Sequence, residues 1–266
     1  MNYLKSTLLI IATLNIAAIV CSEYPDGSKT TAGSLWGAIG KSKFVIFFRK
    51  KLHTPINNAL FSSKFGSLHA TPLYQQWTKE AQSSLGIAEE DHVEVKQRSP
   101  KSPVSSKCLA IARSESIYIN ENSLHGHPIG AQRTVMHHEA AHIKYNDDTM
   151  QLLMNSTIFG CTVALLKRIQ KAPFPKKYTG IVMLPVTAGS LFAAYSLNTR
   201  YHSFGERRAD IAGCYATQCA TCVHQYADHV NRYTAQGHGY LTHNETVKIA
   251  VDLEQQKKYC GYHKPL

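Results

Sequence analysis

The sequence predicts a mainly α-helical α+β fold with a small β-sheet and an apolar helical hairpin. Apolar residues recur at helical spacing in 73–85, and 131–145 holds neither Pro nor Gly. Short runs at 92–95 and 108–119 have strand character. Two uncharged stretches, 149–166 and 178–199, reach the length of a spanning helix. With 266 residues, 44% hydrophobic and 18% charged, the chain has enough apolar material for one sizeable domain or two small ones, and disorder is excluded. A mean hydropathy of −0.23 argues against a polytopic transporter but leaves room for two or three spans.

In chain order, Lys5 precedes an uncharged run, 6–22, that fits an export signal or signal anchor. Val20 before Cys21 disfavours lipidation. Residues 23–66 form a segment of undefined role. Its 27–40 portion, rich in Gly, Ser and Thr, reads as a loop. Phe44–Phe48, flanked by basic residues, fits a strand, a helix turn or a segment lying on an anionic membrane. The remainder, 67–266, makes one domain that includes the apolar hairpin 149–199. Leu73, Trp77, Ala81 and Leu85 define the buried face of a helix. Residues 108–119 read as strand–turn–strand or one edge strand.

His138-Glu139-Ala140-Ala141-His142 carries the chemistry. Residues four apart on a helix share a face, so both imidazoles can converge on one metal ion. Glu139, one residue along, is not needed as a ligand and stands where a general base would act on a water held by that ion. With 14 His and 11 Glu in the chain, composition alone yields such a pattern on the order of 0.03 times. A third ligand is expected downstream, and Glu206 meets that need. Asp210, four residues further, shares its face and is placed to accept from the free N–H of a ligand histidine. His137 points to another face and is expected at the helix surface, as are His224, His229 and His238.

Between the two apolar stretches lie Lys167, Arg168, Lys171, Lys176 and Lys177, with Pro173 and Pro175 breaking any helix. If this hairpin spans a bilayer, its basic tip faces the cytoplasm and the rest lies on the non-cytoplasmic (periplasmic) side. A buried or peripheral apolar hairpin is the alternative.

The metal-binding pattern, two hydrophobic helices and then Glu206-x-x-Ala209-Asp210-x-x-Gly213 together resemble the membrane-associated gluzincin peptidases of the Ste24/HtpX/Oma1 type, family M48. Cys108–Asn120 resembles the family's substrate-binding edge strand. Thr242-His243-Asn244, with Lys248, Ile249 and Leu253, is similar to its later T-H-P…R-I…L segment. The likeness covers roughly 70–255. It implies a zincin-like metalloprotease core, one Zn²⁺ per chain on His138, His142 and Glu206, Glu139 as base, and His243 as a donor to the oxyanion. The implied function is a zinc metalloendopeptidase acting on protein or peptide substrates in membrane or envelope quality control or processing. The sequence departs from the family pattern at Ala141, where Gly is usual, at Ser106-Lys107-Cys108 in place of Asn-Ala-Phe, at Asn244 for Pro and at Lys248 for Arg. None of these removes a ligand or the base.

Cys214, Cys219 and Cys222, with Cys260 beyond, fit one or two disulfides better than a standard zinc ribbon. The net charge of +11 raises nucleic acid as a partner. However, ten of the 29 basic residues fall in 41–51 and 167–177, beside apolar runs, which favours membrane lipid and argues against nucleic acid. A rival reading is a non-catalytic metal-binding membrane assembly factor with a protease-like fold. The retained base, Glu139, speaks against it.

Overall fold

Capping and breaking residues divide the chain into the elements of the computed structural model, which describes residues 43–55, 69–89, 91, 93–99, 102, 108–171, 176–231 and 240–260. The expected signal at 1–22 lies outside them. Helix α1 (Lys43–Phe48) runs into a wide π-type turn, Arg49–His53, so the Phe44–Phe48 run is helical. Arg49 is buried and donates to Asn146 (2.6 Å) and Asp91 (2.9 Å), while Lys50 Nζ lies 2.8 Å from Asp91. These two charges of the 41–51 cluster are matched by polar groups within the domain.

Helix α2 (Pro72–Leu85) begins with Pro at its first position, where the missing N–H costs nothing, and stops at Gly86, whose φ of +66° suits a residue without a Cβ. Trp77, Ala81 and Leu85 are buried as the spacing predicts. Leu73 is instead exposed, and Tyr74 takes the buried place with its O–H donating to Gln132 (2.7 Å). Strands β1 (Glu94–Gln97), β2 (Ala110–Arg113) and β3 (Ser116–Ile119) form one sheet in the order β1-β3-β2. The β1–β3 pairing is parallel and the β2–β3 pairing antiparallel, which puts β2 at an edge.

A short helix α3 (Glu121–Leu124), capped by Asn120, leads to α4 (Ile129–Tyr145). Helix α4 ends at Asn146 in the left-handed region (φ +56°), and α5 (Asp147–Lys171) starts at the next residue. Then follow α6 (Lys176–Thr217), α7 (Ala220–Tyr226) with a π-type turn (Ala227–Asn231), and α8 (His243–Gln255). Thr242 and Glu245 bond each other's backbone N–H at the start of α8, a reciprocal cap. The class is therefore mainly helical with a three-stranded sheet, as expected.

Two compact units divide the chain. In one, 150–171 and 176–204 are helical, and Gln151 donates to Asn198 across the two helices (2.9 Å). Both helices are long and apolar enough to cross a membrane, with mean hydropathy 1.4 over their apolar windows. Phe159, Leu184 and Phe192 are each at least 70% exposed, an apolar surface that water does not favour. The other unit joins Gly37–Thr149 to Gly205–Leu266. At its centre α4 packs against α2, α7 and the sheet, burying Trp77, Ile117, Leu124, Met136, Ala140, Val223 and Leu253.

Candidate metal centre

His138 and His142 lie one turn apart on α4, and α6 brings Glu206 against them. The two Nε2 atoms are 3.1 Å apart, and Glu206 Oε2 lies 3.3 Å from His138 Nε2 and 3.5 Å from His142 Nε2. Tetrahedral donors about 2.0–2.1 Å from a zinc ion stand about 3.3 Å from one another. The three ligand atoms thus already have the spacing of a coordination shell, and the group can hold a metal ion.

Each imidazole is fixed from behind. His138 Nδ1–H donates to Asp210 Oδ1 (2.8 Å), and Asp210 also accepts from Tyr226 O–H (2.7 Å) and from Leu241 N–H (2.9 Å). His142 Nδ1–H donates to Asp147 Oδ2 (2.8 Å), and the other oxygen of Asp147 accepts from Arg208. Both rings therefore present Nε2 to the cluster, since the Nδ1–H tautomer is set by the carboxylate behind it. Asp147 reaches His142 only because the helix breaks at Asn146. No periodicity in the sequence reveals that pair.

Burial opposes charge on His138, yet the Asp210 and Glu206 carboxylates outweigh it and push its pKa up to about 10. His142 is likewise raised, with Glu206 and Asp147 overcoming burial. The same carboxylate field would favour a divalent ion at the two Nε2 atoms, which would displace any proton there.

Glu139 is 8% exposed. Burial raises its pKa, and its surroundings include both imidazoles, Glu206 and a backbone hydrogen bond from Ala112 on edge strand β2. Tyr240 stacks on His138, with centroids 6.2 Å apart, and its phenol hydrogen-bonds Glu206. Burial and the nearby carboxylates hold that phenol far above its ordinary range, so it remains an O–H donor. The sequence pointed to His243 and carried no sign of Tyr240. His243 is the first residue of α8, and its ring contacts Ala227 O (3.1 Å) and the Asp228 carboxylate (3.8 Å).

His137 corrects an expectation. It is fully buried, with Nδ1 2.9 Å from Arg133 O, and burial pushes its pKa down to about 4. Its neighbours include Arg133 and, from α2, Glu80, while on the backbone side Gly213 lets α6 approach so closely that an added Cβ would stand 2.7 Å from His138 Cα and N. Along α6, Glu206, Asp210 and Gly213 occupy one face, supplying in turn a ligand, a buttress and the space for backbone contact, while Ala209 beside them is fully buried. His224 pairs with Glu254 (3.3 Å) and His229 is exposed, whereas His238 lies outside the described residues. The six described cysteines are free thiols, so the expected disulfides are not formed among them.

No protein-family model, curated protein or solved structure matches this chain.

Proposed function

We propose that this chain is a zinc-dependent metalloendopeptidase resembling the M48 gluzincins. The observation that carries the reading is the buried convergence of two imidazole nitrogens and one carboxylate oxygen at 3.1–3.5 Å, with a further carboxyl, Glu139, beside them. Two His and one Glu are a donor set that zinc uses in hydrolases, three protein ligands with one position open. When bound there, zinc polarises a carbonyl oxygen and makes water acidic enough to attack at neutral pH.

The remaining steps belong to the chain. Glu139 accepts the proton of the attacking water at its carboxylate and delivers it to the amine nitrogen of the departing peptide. Asp210 and Asp147 keep both imidazoles in the tautomer that leaves Nε2 free. The Tyr240 phenol donates to the negative charge that develops on the carbonyl oxygen. Edge strand β2, paired with β3 on one side, offers its other side to an extended substrate, which would add as a strand. The Ala112 hydrogen bond to Glu139 sets that edge next to the base. The two apolar helices support a membrane location for this chemistry, and the basic 167–177 segment favours a cytoplasmic tip with the catalytic domain non-cytoplasmic. Protein quality control or processing there follows by analogy with the resembled family.

The test is cleavage of an unfolded protein by the detergent-purified full chain. Chelation should abolish cleavage and zinc should restore it, while the Glu206→Gln variant should bind zinc weakly and cleave little. Cleavage that persists in metal-free protein would refute the reading.

A further inference from the structure

We propose that Cys219, Cys222 and Cys260 form a second metal site, a thiolate site for Zn²⁺ or an ion of similar softness, independent of the His138–His142–Glu206 cluster. The three sulfurs converge. Cys219 Sγ is 2.9 Å and Cys222 Sγ 3.5 Å from Cys260 Sγ, and all three atoms lie within 4.8 Å of one another. Thiolates about 2.3 Å from a tetrahedral zinc stand about 3.8 Å apart, so a small outward shift of sulfur brings all three to ligand distance. A disulfide would use two of these thiols and strand the third beside it. One ion uses all three.

The backbone is built to hold this convergence. Cys219 caps α7 and Cys222 lies in its first turn, so the C-x2-C spacing puts both sulfurs on one side. Cys260 arrives from beyond α8 because Ala220 N–H donates to Lys258 O (2.9 Å), laying the C-terminal segment along the start of α7. Helix α4 backs the site closely, since a Cβ on Gly130 would stand 2.7 Å from Cys222 Cα. Donors also point at the sulfurs. Cys222 N–H approaches Cys219 Sγ (3.4 Å), and Arg133 Nη1 lies 3.9 Å from Cys222 Sγ while also bonding Thr217 O (3.0 Å). Three thiolates around a dication leave one excess negative charge, and the Arg133 guanidinium faces it.

Among the described residues the Glu80 carboxylate is bonded to Arg133 (3.0 Å) and not to the sulfurs, and the proposed role is structural. Binding ties residue 219 to residue 260 and closes the intervening chain, which includes Leu241, the donor to Asp210, into a ring. In the sequence His263 stands three residues after Cys260, the spacing of a further ligand, and lies outside the described residues. The proposed site rests on the three thiols.

The experiment loads detergent-purified, reduced full chain with Co²⁺ and counts ions by elemental analysis. Wild type should hold two per chain. His138→Ala/His142→Ala should hold one, with the near-ultraviolet thiolate-to-cobalt absorption retained. Cys260→Ala, altered beyond the last helix, should lose that absorption, whereas Cys108→Ser, outside the cluster, should keep it. A His138→Ala/His142→Ala chain that holds no cobalt, or holds it without thiolate absorption, overturns the site. So does unchanged absorption in Cys260→Ala, or a disulfide among these three cysteines in metal-free protein isolated without reductant.

Discussion

The two donor clusters of this chain lie on neighbouring elements and are built differently. At His138, His142 and Glu206 the ligands are mixed, each imidazole is backed by a carboxylate, and an unused carboxyl stands alongside. At Cys219, Cys222 and Cys260 the donors are all sulfur, and the supporting groups are a backbone N–H and Arg133, itself paired with Glu80. The difference teaches how one helix can serve two ends. Helix α4 presents His138 and His142 to the first cluster, and its Arg133 and Gly130 brace the second. The proposed reactivity rests on the spare carboxyl at the first cluster, and the proposed rigidity on the cross-link that an ion would make between residues 219 and 260.

Substitutions can break this contrast from its strongest point downward. His142→Ala removes one of three ligands, and metal analysis should find the first cluster empty while the thiolate absorption persists. Asp210→Asn keeps the shape but weakens the support of His138. Zinc affinity at that cluster should fall by about 10–100-fold, measured by competition with a chelating dye. Gly213→Ala forces a Cβ onto the backbone of His138, and overpacking of this kind costs about 1–3 kcal/mol, which thermal unfolding of the metal-free chain can read.

The smallest effect belongs to Glu245, which pairs with Arg207 and is a ligand of neither cluster. A hydrogen bond from Arg207 holds its carboxyl down to about 2, below the ordinary 4.5. A depressed acid contributes stability above the ordinary pKa and loses it as pH falls toward the folded value. The stability difference between wild type and Glu245→Gln, about 1 kcal/mol or less for a pair within reach of solvent, should therefore vanish between about pH 4.5 and 2.

Local spacing decided how much of this was legible in the sequence. The His138–His142 pair depends only on helical geometry, so it could be read directly, as could α2 and the apolar helices, while 108–119 was legible as β structure without a choice between hairpin and single strand. Glu206 is 64 residues past His142, and a pattern of residue types pointed to it. Asp147 was hidden because it depends on a left-handed residue between two helices. Tyr240 was hidden because the path of the chain before α8, not its periodicity, brings it to His138. His137 was misplaced since a helical wheel shows which face a residue occupies and not what packs there. The cysteine spacing was visible, but the convergence of Cys260 required the 258–260 segment to run past α7.

In the proposed function, Glu139 would turn a metal-holding cluster into a hydrolytic one. The most direct measurement compares wild type with Glu139→Gln, in the same detergent, for zinc content and cleavage of an unfolded protein. Equal zinc in both, with cleavage lowered by about 10²–10⁴-fold in the variant, is the predicted result. Equal zinc with equal cleavage, or zinc in both and cleavage by neither, would contradict it.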